Sequence, residues 1–155
     1  MRTTSKFTAF FISALITLSS SLYAGVSEDI DENAVTLAGH DVVAYFTEDK
    51  AVSGTSKFTA SHHNAIYKFS SAANRDTFKK NPHKYTPVYG GFCAYGASVG
   101  KKFSVDGKAF KVVEGKLYVN KNLQVYDLWI QDIPGNIRRA NRQWKIIKNI
   151  PASEL

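Results

Sequence analysis

AIYKFSSAANRDTFKKNPHKYTPVYGGFCAYG, residues 65–96, changes its local rule three times. Ala65 to Phe69 alternates apolar and polar residues, the period of a strand with one buried face. Ser70 or Ser71 is a capping type of residue, and a short helix follows through Lys80 with Phe78 as its inward anchor. Lys79 and Lys80 stand at the negative end of that helix dipole, and Asn81-Pro82 stops it. Tyr85, Pro87, Tyr89 and Phe92 then surround Gly90-Gly91 and lead to the single cysteine, Cys93.

Upstream, residues 57–61 alternate in the same way, with Phe58 and Ala60 on one face. The two runs predict a hairpin that turns near His62-His63-Asn64. Gly39-His40-Asp41 precedes Val42-Val43-Ala44-Tyr45-Phe46, so Asp41 is placed to cap a short helical turn that buries Val42, Tyr45 and Phe46. Val35-Thr36-Leu37 is a candidate strand start, residues 25–33 an acidic lead-in, and residues 47–56 a loop.

Downstream, residues 102–105, 108–113 and 116–120 are separated by Asp106-Gly107 and Glu114-Gly115, which predicts a three-stranded antiparallel meander. Leu123, Tyr126, Ile130 and Ile133 recur with helical spacing, and Trp129 widens the stripe. Pro134 restarts the chain, and Ile137, Ala140, Trp144 and Ile147 repeat the pattern. The expected class is α+β: small antiparallel hairpin and meander strands with short helices, closed by two C-terminal amphipathic helices.

The chain opens with Arg2 and Lys6, an apolar run from Phe7 to Leu18, and a small-residue stretch ending at Ala24. This is the layout of a cleaved signal peptide, residues 1–24, and the apolar run is too short for a permanent anchor. The expected mature protein is one domain, residues 25–155, periplasmic or secreted, with no transmembrane segment after cleavage. Losing Arg2 and Lys6 lowers the formal charge from +7 to +5. That excess is too diffuse for a nucleic-acid partner, which export also argues against. The basic face of Arg138, Arg139 and Arg142 reads as solvated. A lone cysteine in such a compartment pairs between chains, binds metal, or stays buried.

Gly39-x-Asp41 with Val43-Ala44-Tyr45-Phe46, Tyr67-x-Phe69, Asn74-Arg75 with Phe78, Pro82 and Tyr85, and Tyr89-Gly90-Gly91-Phe92-Cys93-Ala94 together resemble the YHS-domain family. Gly115-Lys116-Leu117-Tyr118 and the Trp129, Asp132, Pro134-Gly135 and Trp144 tail are similar to its stand-alone exported bacterial version. The family core corresponds to about residues 39–96, with the C-terminal strands and helices over 102–148. The resemblance implies a small metal-binding module. Relatives with a clear metal role carry paired cysteines, where this chain has one, and the turn at Asn64-Ala65 lacks the glycine expected there.

A closed zinc site takes four Cys or His ligands, so Cys93 would need help from His40, His62, His63 and His83. A thiolate with imidazoles suits copper or zinc. The candidate ligands are Cys93, His63 and His62. In an extended chain only one of the two adjacent histidines shares Cys93's side.

Two other readings stay open. In one, the protein is a non-catalytic module that binds a ligand or a periplasmic protein, its cysteine buried and Tyr85, Tyr89, Phe92 and Tyr95 forming an aromatic surface. In the other, Gly90-Gly91 amides form an oxyanion hole beside a Cys93 nucleophile. No motif favours an enzyme. Asp41, Asn74 and Arg75 read as structural, Asn74 and Arg75 donating to carbonyls of the loop that holds Cys93.

Overall fold

The computed structural model describes residues 26–155, and the leader reading of 1–24 lies outside them. The expected hairpin forms from β1 (Thr55–His62) and β2 (Ala65–Phe69), antiparallel, with Ala60 opposite Tyr67 and His62 opposite Ala65. Ala65, Tyr67 and Phe69 are buried while Ile66 and Lys68 are half-exposed, which is the alternation read from the sequence. His63 (φ 48°) and Asn64 (φ 64°) make the turn, both left-handed. Paired positive φ is the geometry of a two-residue hairpin turn that follows the twist of its strands. The expected glycine is therefore replaced by histidine and asparagine, residue types that enter this region more readily than most.

Asp41 caps the short α1 (Ala44–Thr47), its Oδ1 accepting from the Val43 and Ala44 amides at 3.0 and 3.4 Å. Val42 and Tyr45 are buried beneath it and Phe46 is half-buried. The other oxygen, Oδ2, accepts from Ser70 N (2.8 Å), Ser70 Oγ (2.6 Å) and Asn74 Nδ2 (2.8 Å). One fully buried carboxylate thus joins α1, the base of the hairpin and the first turn of α2 (Ala72–Lys80). Ser71 supplies the α2 cap by accepting from Asn74 N at 3.1 Å. Proline opens α3 (Pro82–Tyr85), as its fixed φ allows.

Asn74 and Arg75 do not hold the cysteine loop. The Asn74 amide is committed to Asp41, and the Arg75 Nε donates to its neighbour Asp76 at 2.9 Å. The meander also differs from expectation. Only β3 (Phe110–Val113) and β4 (Lys116–Val119) pair, with Lys111 opposite Tyr118.

Residues 102–105 run as a loop because their polar groups have partners elsewhere. The Lys102 ammonium donates to the Val26, Lys148 and Ile150 carbonyls, Phe103 O accepts from Cys93 N, and Val105 N donates to Asp29. Val35-Thr36-Leu37 makes single bridges, Val35 to Ile66 and Thr36 to Ile30, and then turns at positive φ through Leu37 and Ala38.

After α4 (Ala94–Ser98) and the β3–β4 pair come the two expected closing helices, α5 (Leu123–Ile130) and α6 (Ile133–Ile147). The α5 stripe is rotated from its reading: Leu123 and Ile130 are exposed, Trp129 is fully buried, and Val125 and Tyr126 are half-buried. Asn136 explains the choice, since its buried amide donates to Trp129 O at 2.8 Å and locks the end of α5 to α6. One core gathers Tyr45, Tyr67, Phe69, Phe78, Cys93 and Leu117, and a second gathers Tyr89, Tyr118, Trp129 and Ala140. No helix among the described residues is long and apolar enough to cross a membrane.

Candidate metal centre

β1 puts Phe58, Ala60 and His62 on its half-buried face, so the His62 ring turns inward at the end of the strand. It meets Phe78 of α2 edge-on at 6.1 Å and His83 of α3 edge-on at 5.1 Å. His63 has left the strand. Its left-handed backbone swings the ring over His62, stacked at 3.9 Å, so the extended-chain rule that separates adjacent side chains does not hold here. The Asn81-Pro82 break supplies the third imidazole by starting α3 with His83 facing the hairpin tip.

One ligand nitrogen from each of His62, His63 and His83 lies within 4.8 Å of the others. A tetrahedral ion bonded at about 2.0–2.1 Å needs its nitrogens about 3.3 Å apart. His63 and His83 are exposed, so the two rings that have to move are the ones least held by packing. The Nε2 of His62 is buried and has no hydrogen-bond partner. Burial, and then the neighbouring His63 and His83, hold the His62 pKa below its ordinary value. The neutral imidazole that a metal requires is therefore the favoured form.

Glu28 Oε1 is 4.0 Å from His63 Nδ1, and the Glu28 side chain is 13% exposed. Burial pushes its carboxyl up to about 7. The Tyr67 hydroxyl is buried without a partner, and burial followed by the Glu28 charge raises its pKa far above the usual range.

Cys93 sits in a different environment. It is fully buried, its Sγ accepts from Gly96 N at 3.3 Å to cap α4, and its thiol donates to Asn120 Oδ1 at 3.7 Å. That same Asn120 oxygen accepts from Tyr95 N at 3.1 Å. Burial pushes the Cys93 thiol up, which disfavours both a thiolate ligand and a thiolate nucleophile. Cys93 is not a member of the histidine group. Neither is His40, whose ring bonds the Leu37 carbonyl at 3.0 Å.

Gly90 and Gly91 do not form an open oxyanion hole: a Cβ on Gly90 would strike the Ser27 carbonyl, and Gly90 O accepts from Asp29 N at 2.8 Å. Tyr85, Tyr89 and Phe92 are buried and Tyr95 is half-buried, so they are core rather than an aromatic surface. Two pockets of about 380 and 320 Å³ lie elsewhere, the first lined by Lys68 and Asp29, the second by Tyr118 and Arg138, and neither is lined by a histidine.

Comparison with protein-family models, with curated proteins and with solved structures returned no match.

Proposed function

We propose that this is an exported, non-enzymatic metal-binding module of the YHS type, in which zinc or copper is held by imidazoles and the cysteine is a packing residue. The observation that carries the reading is the three-histidine group, with one of its nitrogens buried and unpartnered. A buried polar atom without a partner costs free energy, about 1–3 kcal/mol, and a bound ion would satisfy it. Imidazole donors suit zinc and copper, and three such ligands leave a coordination position open. His62 provides the inner ligand, and His63 and His83 close over the ion from the solvent side. The resemblance to the YHS-domain family and the leader-like first residues support the wider reading of a small exported metal module.

Titration of the tag-free protein with Zn(II) and Cu(II) tests this. One equivalent is expected to bind, at least tenfold more weakly in His62→Ala and in His83→Ala. Cys93→Ser is expected to bind like the parent while losing about 1 kcal/mol of stability, because its sulfur fills a buried place. Binding that survives both histidine changes but disappears in Cys93→Ser would return the site to the cysteine.

A further inference from the structure

The segment that carries Glu28 is fastened on both sides of that residue. Val26 O accepts from the Lys102 ammonium, and Asp29 donates from its amide to Gly90 O at 2.8 Å. Asp29 Oδ2 accepts from Val105 N at 3.0 Å. Gly90 lacks the Cβ that would block the crossing of Ser27. These contacts deliver one carboxylate to 4.0 Å from His63 Nδ1, and the described residues give that carboxylate no cationic partner other than a protonated His63. Buried acids are rarely left in that condition without a purpose. A carboxylate that accepts a hydrogen bond from the second ring N–H of a ligating histidine fixes its tautomer, aims the other nitrogen at the metal and makes it a better donor.

We propose that Glu28 is the positioning residue of this centre: its carboxylate accepts a hydrogen bond from the Nδ1–H of His63, turns Nε2 toward the ion, and thereby couples metal binding to the docking of residues 26–31. The inference rests on the reading that the three histidines bind metal. Coupling is reciprocal: an ion that draws His63 into place tightens its grip on Glu28, and a docked segment presents a better ligand. The sequence hides this link, because Glu28 lies in a polar lead-in far from the hairpin turn.

The test compares the parent with Glu28→Gln, using Zn(II) alone as the probe. Affinity is read by competition titration, and hydrogen exchange is read at the Asp29 amide with and without metal. The proposal expects Glu28→Gln to bind about 10- to 100-fold more weakly. It expects the metal-free thermal midpoint to stay equal to the parent's or rise, since a largely desolvated acid has been removed. It also expects Zn(II) to slow exchange at Asp29 in the parent and not in the variant.

Equal affinities overturn the proposal and leave the three-histidine reading standing. So does metal protection of Asp29 that is the same in both proteins. A lower metal-free midpoint in the variant would make Glu28 a structural residue and overturn it as well. A parent that binds no Zn(II) overturns the three-histidine reading and this inference together.

Discussion

The two ends of the β1–β2 hairpin are built on opposite principles. At its base, Asp41 accepts five hydrogen bonds, from Val43, Ala44, both donors of Ser70, and Asn74, and together they tie down α1, the end of β2 and the start of α2. At its tip, His63 has a backbone conformation that costs a non-glycine residue about 1–2 kcal/mol. There too His62 Nε2 lacks a partner, and the half-buried Glu28 stands 4.0 Å from His63. The base satisfies its buried carboxylate fully, even where the strand register slips between Thr55 and Thr59, and the tip leaves its buried imidazole nitrogen unsatisfied. Departures of that kind concentrate at functional sites.

The largest effect that sharpens this contrast is expected at the base. Asp41→Ala strands several buried donors and should cost about 3–5 kcal/mol in urea denaturation. A cost of similar size on truncating His62 or His83 would break the comparison, since it would make the tip structural too.

The next effect is in pH. Glu28 has a folded pKa of about 7, above its unfolded value, so the folded state binds more protons between about pH 4.5 and 7. Its contribution to metal-free stability is therefore lost as pH rises through that window, by about 1–2 kcal/mol after allowance for partial solvent contact. His62 acts in the other direction. Its depressed pKa means the unfolded state binds more protons below about 6.5, so its contribution grows as pH rises to that point. Subtracting the Glu28→Gln profile from the parent's isolates the acid, and a flat difference would remove the buried charge from the contrast.

Much of the base was legible in the sequence and little of the tip was. The alternation of residues 65–69, the serine cap before α2, the Asp41 cap and the turn at His62-His63-Asn64 all follow from rules that span a few residues. The third strand failed because Lys102 is answered by carbonyls from both ends of the described chain, partners that no local pattern reveals. The α5 stripe failed for a similar reason, an asparagine on the following helix.

Among the candidate ligands, His62 and His63 were visible. Their partnership with His83 depends on α2 and α3 folding back over the hairpin, which spacing along the chain does not reveal. The proline that opens α3 was the available clue, since it fixes where a new helix begins and which way His83 leaves it.

The smallest expected effect has the most telling sign. His63→Gly relieves the left-handed strain while adding freedom to the unfolded chain, for a net gain of about 0.5 kcal/mol in metal-free stability. The same variant should lose metal affinity. A change that strengthens the fold and weakens binding would separate the two roles in one protein, and a loss of stability would merge them again.

Lys102 carries a consequence for how the molecule is made and handled. Its ammonium, packed against Phe92 and Trp144, accepts no substitute for the three carbonyls of Val26, Lys148 and Ile150. The clasp joins Val26 to Lys148 and Ile150, so it can close only when both ends of the described chain have come together. Labels or fusions attached near residues 26 and 150 would sit side by side, and a single pair of fluorophores placed there would report, as one distance, the moment the fold is sealed.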